Sequence, residues 1–364
     1  DLGVTASLLA VDYFAWSKQT DKAKTLLRTA EGLVNLNANR PRYISSLLKA
    51  YQACVDSADY LTAYGHFYRS WETSPDQDDL FPLKRAHVMA LKCGRSDLIY
   101  DAISKLYEMH NNQFPIPYMA GMVSFGLEQI GDYTGAERVA REGYDGCDGV
   151  TDDDIWLDHA LAHSLYFQGK DRQKDAIEFF EKYHQSWETR RDMLHPFIYT
   201  HCFWHWALVL VETGDLRGAL RIFDTNLWWK GREASEGMFT ADNLMDEQVL
   251  VNALGLLWKL QSRQADDVSP IDLKPRWKSV ASVARAAPSW LAHVDSLLDI
   301  LLIRGLIEAD FLEDASVLVG SIKAEKSEVM FKVAEAVYGC CLSNMLTVIR
   351  YNFGDLPVRL SRTA

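Results

Sequence analysis

Two pairs of histidines near the middle of the chain have the residue type and spacing that could support chemistry. His159 and His163 lie in WLDHALAHSLYFQGK, and His201 and His205 lie in THCFWHWALVLVETGD. The members of each pair are four residues apart, which places both imidazoles on one face of a helix. Imidazole is a common ligand of zinc and titrates near neutral pH. The four histidines are therefore the candidate metal ligands and the candidate catalytic residues.

The competing interpretation of these histidines is structural. They also suit packing against Trp156, Trp204 and Trp206, with hydrogen bonds across a helix interface. Neither pair has the intervening Glu of the HExxH metalloproteases, and the chain has no glycine-rich phosphate loop and no G-x-S-x-G elbow. We expect no cofactor and no enzymatic activity, with a divalent metal such as Zn at the four histidines as the alternative.

The elements that must position these residues are helices. Apolar residues recur at i, i+3, i+4 and i+7, and strand-like alternation is nearly absent. Six short turns line up, at 17–23, 57–63, 93–99, 130–136, 168–176 and 213–219. Four of them have glycine at the same place, where it would end the first helix in the left-handed conformation: Gly94, Gly131, Gly169 and Gly214. A small residue follows most of these turns, at Ala23, Ala63, Ala136, Ala176 and Ala219.

The turns repeat with a period typical of a known architecture. The four glycines are separated by 37, 38 and 45 residues, and a helix–turn–helix unit with a period of about 34 is the tetratricopeptide signature. We predict an all-α fold of such repeats stacked into a right-handed superhelical solenoid. About six helix pairs would occupy residues 1–235, and divergent helical repeats would continue the solenoid over 236–364. The segments 276–324 and 327–352 are both expected to be helix pairs.

Several strings resemble the tetratricopeptide repeat protein 38 family. They are SPDQDDLFPLKRAHVMALKCG, YMAGMVSFGLEQIGDYTGAERVAREG, HALAHSLYFQGK and HCFWHWALVLVETGD, and the most specific of them are FGLEQIGDYTGAERVAREG and the two histidine pairs. The detailed resemblance lies within residues 74–145 and 156–230. It implies a curved all-α solenoid, and it supplies no reaction because the molecular function of the family is essentially uncharacterised.

In the resembled fold the first helix of each pair lines a concave groove. Counting back from each turn glycine predicts the lining residues Lys84, Arg85, Tyr118, Phe125, Glu128, Trp156, His159, His163, Tyr166, His201, Trp204, His205 and Glu212. Aromatic and Arg-rich surfaces favour peptide binding. Glu128, Asp158 and Glu212 are the acidic residues expected to ligate a metal or to orient an imidazole. Thr151 or Asp152 is expected to cap the helix that carries the first histidine pair.

Composition limits the classes of partner. The chain has 38 Lys and Arg against 50 Asp and Glu, a net charge of -12, which argues against nucleic acid and anionic membranes as partners. No apolar run is long enough for a transmembrane segment. The six cysteines lack metal-type spacing, which favours free thiols and the cytoplasm. Because residue 1 is Asp rather than Met, an organelle entered after removal of a targeting segment is the alternative.

The function expected from these patterns is a protein–protein interaction scaffold that binds a protein or peptide segment in the groove. An enzyme or metal-dependent small-molecule-binding protein centred on the four histidines is the first alternative. A structural subunit of a large complex is the second.

Overall fold

A computed structural model of the protein describes residues 2–16, 19–36, 41–110, 117–145, 154–228, 247–264, 270–286, 293, 295–325 and 327–353. Across these ranges the chain forms seventeen α-helices and no strand, which confirms the all-α prediction. The helices pack as sequential antiparallel pairs, an arrangement consistent with a helical repeat. Contacts divide the chain into two compact units, residues 1–189 and 190–364.

The first unit consists of five consecutive helix pairs. Its helices are α1 (Leu2–Trp16), α2 (Thr20–Asn35), α3 (Arg42–Asp56), α4 (Tyr60–Glu72), α5 (Leu80–Lys92), α6 (Ser96–Met109), α7 (Pro117–Gln129), α8 (Tyr133–Asp145), α9 (Ile155–Phe167) and α10 (Gln173–Thr189). Each first helix packs on the second helix of its own pair. Inside the second pair, the rings of Tyr51 and Phe67 meet edge to face with centroids 5.2 Å apart, and both side chains are buried.

The second unit begins with a short 3₁₀ helix and then continues in α-helices. They are α11 (Pro196–Thr213), α12 (Leu216–Ile222) with a π-helical turn after it (Phe223–Leu227), α13 (Glu247–Arg263), α14 (Lys274–Ala286), α15 (Ser296–Glu308), α16 (Leu312–Glu325) and α17 (Glu328–Phe353). The expected helix pair at 327–352 is wrong, because α17 runs through the whole segment. Gly339 stays in the helical conformation there, so nothing starts a turn. The predicted boundary near residue 235 lies outside the described residues.

The predicted left-handed turns are present. Gly94, Gly131, Gly169 and Gly214 have φ values of 64°, 88°, 83° and 90°. At Gly131 the backbone N–H donates to the Glu128 carbonyl (2.9 Å), and the next N–H donates to the Leu127 carbonyl (2.9 Å). These bonds satisfy carbonyl groups that the end of a helix leaves without partners. Glycine suits all four positions because φ is positive at each, although Gly169, with a ψ of −154°, does not have the left-handed helical conformation of Gly214.

Two turns adopt a left-handed residue without glycine. Ala58 has a φ of 52°, and Asp310 has a φ of 65°. The Asp310 N–H donates to the Ile307 carbonyl (3.0 Å) and the Phe311 N–H to the Leu306 carbonyl (2.8 Å), the pattern seen at Gly131. Ala315 then follows at the spacing of the small residue in the earlier turns, and it is fully buried. The turn between α15 and α16 is thus built like the turns of the first unit.

Small residues bring the helices close together around α7. The five alanines that follow the aligned turns, Ala23, Ala63, Ala136, Ala176 and Ala219, are all buried, as predicted. A Cβ atom added at Gly143 of α8 would lie 2.5 Å from the Ala120 Cβ, and one added at Gly121 would lie 3.2 Å from the Trp156 carbonyl oxygen. This close packing fixes the first helices α7 and α9, which carry most of the candidate site in the first unit.

The described residues also answer the expectations about membranes and thiols. No helix among them combines the length and the apolar character needed to cross a bilayer. Cys54, Cys93, Cys202, Cys340 and Cys341 are free thiols, and Cys147 lies outside the described residues. Burial raises the pKa of Cys54 to about 12, so its thiol stays protonated at neutral pH.

Candidate functional site

Capping residues fix the first turns of the helices that carry the site in the first unit. The Asp79 side chain accepts from the Phe81 N–H (3.0 Å) at the start of α5. The Asp154 side chain accepts from the N–H groups of Trp156 (2.9 Å) and Leu157 (3.3 Å) at the start of α9. The expectation of a Thr151 or Asp152 cap is therefore wrong, since Asp154 occupies the N-cap.

A row of partly exposed side chains runs across α5, α7 and α9, and we name it the aromatic strip: Lys84, Tyr118, Phe125, Trp156 and His163. The Lys84 Nζ lies 4.3 Å from the centroid of the Trp156 ring and 5.4 Å from that of Tyr118. Within the described ranges, no carboxylate forms an ion pair with Lys84. Burial, followed by the neighbouring Arg85 charge, lowers the pKa of Lys84 to about 8.

Arg85, the second predicted groove cation, belongs to an internal network. Its guanidinium lies 2.9 Å from the Asp12 carboxylate of α1, which also accepts from the Tyr51 hydroxyl of α3 (2.9 Å). Burial and the Asp12 charge raise the pKa of Tyr51 well above its usual range. Arg85 therefore joins three first helices, and Lys84 is the cation of this pair that has no carboxylate partner in the described residues.

Phe125 contacts three imidazoles. The centroid of its ring lies 5.6 Å from His87, 5.9 Å from His159 and 5.4 Å from His163. His87 is only 3% exposed, and its Nε2 has no hydrogen-bond partner in the part of the chain described. Burial and the Lys84 charge hold the pKa of His87 well below its usual range, so the ring is neutral at pH 7. His87 lies three residues after Lys84 on the same helix and was not among the residues predicted from the sequence.

The first histidine pair lies next to a buried carboxylate. The rings of His159 and His163 have centroids 4.4 Å apart, and the His163 Nδ1 is 3.6 Å from the Glu128 Oε2. That distance is too long for a strong hydrogen bond. The same carboxylate accepts from Gln129 Nε2 at 2.6 Å. Glu128, one of the three acidic residues singled out from the sequence, is 5% exposed and lies beside this histidine pair.

Asp158 has a structural position instead of the predicted ligand position. Its two carboxylate oxygens accept from the Tyr144 hydroxyl of α8 (2.5 Å) and the Trp187 Nε1 of α10 (2.6 Å). The side chain is fully buried. Since these two donors belong to the second helices, Asp158 joins α8, α9 and α10.

The second histidine pair lies on α11 in the second unit. The Nε2 atoms of His201 and His205 face each other at 3.1 Å, and the His201 Nδ1 lies 3.2 Å from the Asn252 Oδ1 of α13. The Trp204 ring is stacked on His201, with centroids 5.2 Å apart and planes inclined by 14°. These contacts, all within the second unit, therefore fix the orientation of the ring nitrogens of His201 and His205.

No model of a known protein family matches the chain. The functional conclusions therefore depend on the contacts of the described side chains. That all four histidines bind one metal ion stays a prediction of the sequence.

Two other predicted groove residues have local partners. Glu212 of α11 forms ion pairs with Lys259 (2.7 Å) and Arg263 of α13. Hydrogen bonding from Lys259 is the main reason why the pKa of Glu212 is lowered. Glu212 therefore joins α11 to α13, and these ion pairs compete with any role as a metal ligand. Tyr166 is partly exposed and meets Phe167 edge to face, with ring centroids 5.4 Å apart.

Proposed function

We propose that this chain is an interaction scaffold of the tetratricopeptide type, which binds an extended partner segment on the aromatic strip of α5, α7 and α9. The partner segment would present an acidic side chain to Lys84 and apolar side chains to Tyr118, Phe125 and Trp156. The resemblance to the tetratricopeptide repeat protein 38 family and the repeated turns support the repeat type. The observation that carries the binding proposal is the Lys84 ammonium between two aromatic rings. Among the described residues it forms no ion pair, and the charge of Asp154 only partly opposes the lowering of its pKa.

Electrostatics explains why an acidic partner suits this position. Removing a cation from water without an ion-pair partner is unfavourable, and the lowered pKa of Lys84 expresses that cost. Cation–π contacts with Trp156 and Tyr118 offset it in part. A carboxylate from a partner would raise the pKa of Lys84 and restore the stability of its charged form. The complex would therefore contain a charge-assisted hydrogen bond in a partly desolvated place.

The aromatic residues provide the apolar part of the surface. Tyr118 and Trp156 meet edge to face with centroids 6.4 Å apart, and Phe125 is held between histidine rings on the same strip. Aromatic side chains of this kind dominate the energetics of protein interfaces. They are attached to helices that pack closely at Gly121 and Gly143, so little ordering is required when a segment binds.

Selection from a phage-displayed library of random linear peptides tests the proposal. Peptides are enriched on the wild-type chain and then titrated against Lys84→Met and Trp156→Ala. We expect enriched peptides that contain an acidic residue near an apolar one, with about tenfold weaker binding to Lys84→Met. The matched control is Lys174→Met, which removes the same charge from a side chain of α10 that is 86% exposed.

Two results would contradict this function. One is a library that yields no peptide with saturable binding to the wild-type chain. The other is a set of peptides that bind Lys84→Met and Trp156→Ala as tightly as the wild type, because the aromatic strip would then not be the binding surface. Circular dichroism of each variant shows whether a loss of binding comes from unfolding.

A further inference from the structure

The two histidines of α11 are joined through their ring nitrogens by an N–H···N hydrogen bond. Their Nε2 atoms are 3.1 Å apart and face each other, although both side chains belong to one helix. The His201 Nδ1 lies 3.2 Å from the amide oxygen of Asn252. His205 and Asn252 are almost fully buried, with 3% and 2% exposure.

The hydrogen bond to Asn252 decides which nitrogen of His201 is available. The Asn252 Oδ1 can only accept, so the His201 Nδ1 carries the proton and donates to it at 3.2 Å. In the neutral ring the lone pair is then on Nε2, the atom that faces His205. An acceptor that holds the far nitrogen of an imidazole in this way is the usual support of a metal-bound histidine. The Asn252 Nδ2 has no hydrogen-bond partner in the described residues.

The distance between the nitrogens suits two ligands of one ion. Two nitrogens at about 2.0–2.1 Å from a tetrahedral zinc ion lie about 3.3–3.4 Å apart. The observed separation of 3.1 Å is close to this value, and the spacing of four residues brings both rings to one side of α11. Stacking of Trp204 on His201 restricts rotation of that ring and favours one orientation of its nitrogens.

We propose that His201 and His205 are two ligands of a divalent zinc ion and that Asn252 positions His201 for binding it. The remaining coordination positions would be taken by water or by further side chains. Imidazole is among the ligands that zinc prefers, and no thiolate is needed for a site of this type. This inference concerns a different helix from the aromatic strip and does not depend on the proposed function.

Zinc titration of the full chain tests the inference. The chain is stripped with a chelator, and zinc binding is then measured by competition with a chromophoric indicator. We expect saturable zinc binding by the wild type. The double variant His201→Ala/His205→Ala should lose the site. Asn252→Ala should weaken binding by about 10–100-fold, the range expected for loss of an outer-shell partner. His66→Ala, which removes a partly exposed imidazole of α4, is the matched control and should bind as the wild type does.

Spectroscopy keeps the test valid if a variant folds poorly. Cobalt(II) bound through imidazoles gives visible absorption, and its intensity should fall in His205→Gln. Circular dichroism is used first to check that this variant keeps the native helix content. A wild-type chain that binds zinc no better than His201→Ala/His205→Ala would overturn the inference. An Asn252→Ala variant with unchanged zinc affinity would contradict the positioning role of Asn252.

Discussion

Replacing Ala58 with glycine should stabilise the first unit, whereas replacing Gly131 with alanine should destabilise it. Both residues end a first helix in the left-handed conformation, with φ values of 52° and 88°. A residue with a Cβ atom is strained there, because the Cβ approaches the following carbonyl oxygen. Glycine has no Cβ and adopts the conformation without this strain. The two substitutions therefore change the same term of the folding free energy in opposite directions.

The magnitude follows from two opposing terms. The left-handed conformation costs an L-residue about 1–2 kcal/mol. Glycine loses about 0.5–1 kcal/mol more backbone entropy on folding than alanine does. The difference leaves about 0.5–1 kcal/mol for each substitution. At Gly131 an added Cβ meets no atom within 4 Å, so neither a clash nor a new contact alters this estimate. For a unit of 189 residues, such a change corresponds to about 1–4 °C in Tm.

Thermal and urea unfolding followed by circular dichroism measure these shifts. The matched control is Gly32→Ala in α2, where an added Cβ also meets no atom within 4 Å but the backbone is helical. There alanine should be stabilising, by up to about 1 kcal/mol. If Gly131→Ala and Gly32→Ala shifted stability in the same direction, the explanation by left-handed strain would be refuted.

Two further predictions concern buried polar groups. Trp187→Phe removes an indole N–H that donates to the buried carboxylate of Asp158, and we expect a loss of about 1.5–3 kcal/mol in the free energy of unfolding; a change below about 0.5 kcal/mol in urea titrations would contradict this. Because the pKa of Lys84 is lowered to about 8 in the folded chain, the unfolded chain binds more protons between about pH 8 and pH 10.4. The wild type should therefore gain stability relative to Lys84→Met as pH rises through this range, and a flat difference would show that Lys84 is not desolvated.

Features that depend on local sequence could be predicted. The helical periodicity, the turn glycines and the buried alanines each follow from residues within one turn or one helix. The turn at 57–63 was predicted from its alignment with the other turns although it has no glycine. The turn at Asp310 was not predicted, although Ala58 and Asp310 are both left-handed. The uninterrupted α17 was missed because the helical periodicity of 327–352 does not show whether one helix or two occupy the segment.

From the sequence, only the helix faces that carry the candidate site could be predicted. Lys84 and Trp156 were correctly grouped, yet the sequence did not show that Arg85 would find Asp12 or that Glu212 would find Lys259. Such pairs join residues far apart in the chain and depend on the packing of whole helices. His87 was missed because counting back from Gly94 assigned Lys84 and Arg85 to the groove but not His87, which is buried three residues after Lys84.

The hydrogen bonds of Asp158 affect how the first unit opens. In a stack of repeats, each helix pair can detach from the end with modest cooperativity, because it contacts only its neighbours. Here one fully buried carboxylate on α9 accepts from α8, which belongs to the preceding pair, and from α10. Detachment of α10 would remove the Trp187 donor from this buried carboxylate, which is unfavourable. Detachment of α10 is therefore coupled to α8 through Asp158. Amide hydrogen exchange should report α8, α9 and α10 as a single cooperative block.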